Sequence, residues 1–119
     1  MTPFVHLHVH SEFSLIDGVV RIRQMLEAAG REGMPAVALT DQSNLFGMVR
    51  FYKQAMKAGI KPLIGVDTWL ADDDGMDPSK IILLCQNEIG YRNLCRLLSR
   101  SYLQTRSKGR PLLRRDWFI

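Results

Sequence analysis

Polar and apolar positions alternate along residues 4–9, after the adjacent apolar pair Phe4 and Val5. Val5, Leu7 and Val9 fall on one side, and His6, His8 and His10 on the other. A period of two is the signature of a strand. Over residues 21–32 the period lengthens: Ile22, Met25, Leu26 and Ala29 share one helical stripe, and Gly33 stands where a helix ends in the left-handed region. The apolar run Ala36, Val37, Ala38 and Leu39, closed by Thr40, predicts a buried strand. Ser43 or Asn44 is placed to cap a second helix reaching Ala58, with Gly59 as its stop. Leu63, Ile64, Gly65 and Val66 open a third strand that extends toward Leu70. The acidic stretch 72–75 reads as a loop, residues 81–85 as a fourth strand, and Tyr91, Leu94, Cys95 and Leu98 as the stripe of a third helix.

The order strand, helix, strand, helix, strand, strand, helix predicts an α/β fold with a largely parallel sheet. With 119 residues the chain is one domain or part of one. Its last residues, Trp117, Phe118 and Ile119, form an apolar stop with no cap or polar tail, as expected of a chain cut within a fold. Such a piece should leave a sheet edge and apolar helix faces open, and self-associate or require a missing remainder.

Composition changes this picture little. Hydrophobic residues make up 46% and charged residues 24%, the balance of a soluble domain. No apolar run is long enough to span a membrane, and the first ten residues lack the basic and apolar regions of a signal peptide, so a cytoplasmic location is expected. Cys85 and Cys95 match no zinc spacing and are expected to be reduced packing residues. The net charge of +4 is unevenly spread. Eight of the sixteen Lys and Arg lie between Arg92 and Arg115, a stretch without acids. Arg92, Arg96 and Arg100 recur at helical spacing, which suits contact with nucleic acid or an acidic partner as well as a plain solvated face.

The candidate chemistry gathers where α/β folds place their sites, at the C-terminal ends of strands. His8 and His10 close the first strand, Glu12 and Asp17 follow it, residues 40–44 follow the second, and Asp67 lies near the end of the third. Two imidazoles two residues apart point the same way and can share one divalent ion, with neighbouring carboxylates completing its shell. Such a cluster could generate hydroxide and align a phosphate. The same residues also fit a polar edge strand, a helix-capping turn at Asp41 and an ordinary Asp17-Gly18 turn.

Four blocks extend the reading: H-L-H-V-H-S-E-F-S-L-I-D-G, A-L-T-D-Q-S-N-L-F-G, the stretch F-Y-K to K-P-L-I-G, and G-Y-R-N-L. In this order they resemble the PHP (polymerase and histidinol phosphatase) domain at the N-terminus of the alpha subunit of bacterial DNA polymerase III. The resemblance covers nearly all 119 residues. It implies the N-terminal part of a distorted barrel of about seven strand–helix units, with a zinc, manganese or magnesium cluster that hydrolyses phosphoesters in active members, in some polymerases as a 3′→5′ exonuclease. Carried over by position, His8, His10, Asp17 and Asp67 match metal positions. His6, Asp41 and Gln42 match positions behind them. Three positions depart from the family. Gln42 replaces a histidine, Asp67 a longer glutamate, and Lys80 a further histidine, and the later ligand motifs would fall after Ile119. The resemblance therefore implies a vestigial site that holds no metal stably. It implies a scaffold within a DNA-directed DNA polymerase, which binds DNA through the parent enzyme and also a separate proofreading exonuclease subunit. No polymerase residue falls in this stretch, so the segment itself is expected to be inactive.

Overall fold

The computed structural model describes residues 4–14, 18–71, 77–104, 106–107 and 110–118. Helix α1 (Ile22–Arg31) turns the predicted stripe inward: Ile22, Leu26 and Ala29 are buried. Strand β1 (Ala36–Leu39) lies beneath it, with Val37, Ala38 and Leu39 buried. Helix α2 (Met48–Ala58) buries Phe51 and Ala55 and ends at Gly59, whose φ of 74° needs a residue without a Cβ. Ile22, Leu26, Val37, Leu39, Phe51 and Ile60 thus form one core. Truncating the fully buried Phe51 would cost about 3–5 kcal/mol.

Strand β2 (Lys61–Ala71) is the axis of the sheet. Its first half pairs parallel with β1, Ala36 opposite Lys61 and Leu39 opposite Ile64. Its second half pairs antiparallel with β3 (Ser79–Leu84), Gly65 opposite Leu84 and Leu70 opposite Ser79. Gly65 permits the close crossing, because a Cβ there would lie 2.4 Å from the Leu83 carbonyl oxygen. Helix α3 (Glu88–Gln104) covers Val66 with Leu94 and Leu98. The short strands β4 (Arg106–Ser107) and β5 (Arg110–Pro111) form a hairpin, and β6 (Leu113–Arg114) adds to the end of β2 in parallel.

The α/β architecture and most elements agree with the pattern of the sequence. The sheet is mixed rather than uniformly parallel, because no helix separates β2 from β3. The helix-cap expectation is corrected. α2 starts after Gly47, with no side-chain cap. Asn44 is spent on the preceding loop, donating to the Phe13 and Gln42 carbonyls and accepting from the Phe46 N–H, while Ser43 adopts a φ of 57°. The acidic stretch 72–75 lies outside the described residues.

Candidate functional site

The segment carrying the histidines is extended but is not a regular strand. It is tied to β1 by two backbone bonds of 2.9 Å, from the Ala38 N–H to the His6 carbonyl and from the Thr40 N–H to the Val9 carbonyl. Between these anchors the segment advances from 6 to 9 while β1 advances only from 38 to 40. One residue is therefore extra, as in a β-bulge. The slip removes a ladder partner, and the Thr40 hydroxyl replaces it by accepting the Val9 N–H at 2.9 Å. Val9 packs on the core, and His8 and His10 turn the other way.

They converge on Asp67. Each Nε2 lies 2.8 Å from the same carboxylate oxygen, Oδ2. The rings meet edge to face, 5.3 Å between centroids. Asp67 is 1% exposed, His10 16% and His8 54%, so the cluster opens to solvent on the His8 side. The backbone fixes the aspartate from two directions: its N–H donates to the Asp41 carbonyl at 3.0 Å, and its carbonyl accepts the Ser43 N–H at 2.8 Å. Gln42 thus runs beside Asp67 in parallel, past the end of β1. The Tyr102 hydroxyl on α3 donates to the Ser43 carbonyl at 2.7 Å and holds this turn from behind.

A fourth group completes the cluster. Lys80 sits opposite Trp69 in the β2–β3 register, and its Nζ reaches diagonally to 3.6 Å from Asp67 Oδ2. It also lies over the Trp69 ring, 4.9 Å from the centroid, while the Arg110 guanidinium lies over the same ring at 4.3 Å. Burial pushes the Asp67 carboxyl up, but the hydrogen bonds from His8 and His10, with the Lys80 ammonium, outweigh it and hold the group below its ordinary value.

His8, His10 and Asp67 have the donor types and the spacing, within 4.8 Å of one another, that can hold a metal ion. Asp67 Oδ1 is buried and has no hydrogen-bond partner among the described residues. The charge balance opposes a divalent ion. With the carboxylate ionised, both imidazoles donate their Nε2–H to it, the tautomer that these two hydrogen bonds require. The single described carboxylate of the cluster is already matched by the Lys80 ammonium. Among the described residues the cluster supplies one carboxylate, fewer anionic donors than a phosphoesterase-type metal cluster places around its ions.

Asp41 is equally buried but has a different task. It accepts from the Ser11 N–H, from the Ser11 hydroxyl at 2.8 Å and from the Ser14 hydroxyl at 3.0 Å. Ser14 Oγ in turn accepts the Gln42 N–H at 3.0 Å. Asp41 therefore locks the 11–14 turn against the start of the next loop, and the backbone of Gln42 belongs to the same lock. Ser11 and Ser14, buried and indispensable to it, were signalled only by their spacing around a tight turn.

The remaining candidates separate from the cluster. The His6 ring packs edge-on against Phe4, centroids 4.8 Å apart. Asp17 lies outside the described residues. Arg92 pairs with Glu88 at 2.7 Å, and Arg100 bonds Gln104 and lies over Trp117 at 4.2 Å, so part of the arginine stripe is spent within the chain.

The PHP domain family matches residues 6–119. DNA polymerase III subunit alpha of Pseudomonas aeruginosa is 50% identical over 115 residues, covering 96% of this chain and 10% of that protein. The Escherichia coli K12 protein of the same name is 41% identical over 117 residues, covering 98% of this chain and 10% of that protein. The chain thus spans about a tenth of the length of the curated relatives it matches. A candidate metal-dependent phosphoesterase of Bifidobacterium adolescentis superposes with a TM-score of 0.62 at 21% identity, over 82% of this chain and 32% of that one. An amidohydrolase of Chromobacterium violaceum, solved with bound sulfate and no metal, does so with a TM-score of 0.62 at 24% identity, again over 82% of this chain and 32% of that one. At these identities the likeness is one of fold, and it agrees with a partial strand–helix barrel.

Proposed function

The chain belongs to the PHP domain family, and from that premise we propose that it is the N-terminal part of the PHP domain of a replicative DNA polymerase alpha subunit, acting as a scaffold rather than as a phosphoesterase. The observation that carries this reading is the Lys80 ammonium, 3.6 Å from the carboxylate oxygen that His8 and His10 already share. One oxygen of the cluster, Asp67 Oδ2, is matched by two imidazoles and an ammonium. The residues of the cluster bridge three elements, the histidine segment, β2 and β3, and its hydrogen bonds hold them in register. In the longer polypeptide the domain would brace the polymerase portion and offer a surface to a separate proofreading exonuclease subunit. DNA would be met through the parent enzyme.

A second reading, a metal-dependent phosphoesterase or 3′→5′ exonuclease, is favoured by the convergence of His8, His10 and Asp67. In that reading these three would bind the ion, and the ion would supply an activated water. Elemental analysis of protein purified from medium containing zinc and manganese separates the two. The scaffold reading expects metal well below one ion per chain and no nucleotide release from a labelled 3′ end. Stoichiometric metal together with chelator-sensitive release would overturn it.

A further inference from the structure

Helix α2 presents apolar side chains to solvent where an outward-facing helix is ordinarily polar. Val49, Tyr52 and Met56, spaced three and four residues apart on one stripe, are 56%, 49% and 57% exposed, and Phe46 just before the helix is 66% exposed. With Phe13 they line an open groove of about 1060 Å³. A second stripe runs beside the first: Arg50, Lys53 and Lys57, again three and four residues apart, line the same groove. Among the described residues, none of the three cations makes an ion pair with an acidic group and no acidic side chain lines the groove.

We propose that this groove docks an acidic amphipathic helix of a partner protein, its apolar stripe on Phe46, Val49, Tyr52 and Met56 and its Asp or Glu side chains on Arg50, Lys53 and Lys57. The parallel apolar and basic stripes run along a helix axis, which suits helix-in-groove recognition. Charge complementarity sets the sign of the partner and speeds the encounter. A second copy of this chain fits poorly, because its own helices α1 and α3 are net basic: Arg23 and Arg31 outnumber Glu27, and Arg92, Arg96 and Arg100 outnumber Glu88. Single-stranded nucleic acid fits less well than an acidic helix. Aliphatic Val49 and Met56 alternate with the rings of Phe46 and Tyr52, which breaks a continuous stacking platform, and Arg50 already lies over the Phe13 ring, 5.6 Å from its centroid. The docking surface does not depend on whether the histidine cluster binds metal.

Fluorescence anisotropy of the 119-residue chain with three labelled helical peptides tests it. One peptide carries leucines at three–four spacing flanked by glutamates, one has those glutamates replaced by lysines, and one has the leucines replaced by serines. The acidic leucine peptide should bind saturably and the other two at least about tenfold more weakly, about 1.4 kcal/mol. The double variant Lys53→Glu, Lys57→Glu should lose about tenfold for the acidic peptide and gain for the lysine peptide, a swap that requires a folded protein. Equal binding of the serine peptide, absence of the swap, or tighter binding of an oligothymidylate than of the acidic peptide would each overturn the proposal.

Discussion

Two aspartates, Asp41 and Asp67, are each 1% exposed and lie side by side, the backbone of one bonded to the backbone of the other, yet their surroundings differ in kind. Asp41 is surrounded by neutral donors, a backbone N–H and two serine hydroxyls, none of which titrates in the ordinary range. Asp67 is surrounded by two imidazoles and an ammonium. Burial alone therefore says little about the role of a carboxylate. Neutral donors make a structural lock. Two imidazoles and an ammonium hold the Asp67 carboxyl below its ordinary value despite its burial.

The largest effect should come from Asp41. Asp41→Ala strands three buried donors of the 11–14 turn, and a loss of about 3 kcal/mol or more is expected in chemical denaturation. A loss below about 1 kcal/mol would dissolve the contrast with Asp67. Acid should act on the other aspartate. The Asp67 carboxyl is depressed in the folded state, so its contribution is fully present above the unfolded value near 4 and disappears as pH falls through the lower folded value. Melting temperature followed from pH 6 to pH 2 should therefore drop below about pH 4 in the wild type. The acid-dependent drop should be smaller in Asp67→Asn.

Lys80→Met is expected to shift stability by no more than about 1 kcal/mol, since Lys80 is 43% exposed and its pair with Asp67 is screened. Its informative readout is calorimetric zinc binding, which should strengthen once the competing ammonium is gone. Unchanged zinc affinity would mean that Lys80 is not what disfavours an ion. An effect of similar size should come from the bulge. Thr40→Val removes the acceptor of the Val9 N–H, and a loss of about 1 kcal/mol is expected, with faster amide exchange at Val9 by NMR.

The stripes of α1 and α3 were legible because each repeats every three or four residues against a core, the end of α2 by its glycine stop, and β1 because it is continuously apolar. The pairing of His8 and His10 with Asp67 was legible as alternation plus a carboxylate near a strand end. The extra residue between His6 and Val9 was not, because a one-residue slip leaves the alternation intact and shows only in which N–H meets which carbonyl. The left-handed Ser43 was hidden for a similar reason. Its conformation is imposed by Asp67 and Tyr102, which are remote in sequence. The strands β4 to β6 are too short for any period to register.

Trp69, held between Lys80 and Arg110, gives the cluster an optical readout of its own. A cation resting on an indole alters its emission, so displacing Lys80, by an ion or by protonation of the carboxylate it faces, would register as a change in intrinsic fluorescence. The second tryptophan, Trp117, lies under Arg100 and can be silenced as phenylalanine. The chain thus carries a built-in, label-free sensor linked through Lys80 to the oxygen atom on which its histidines converge.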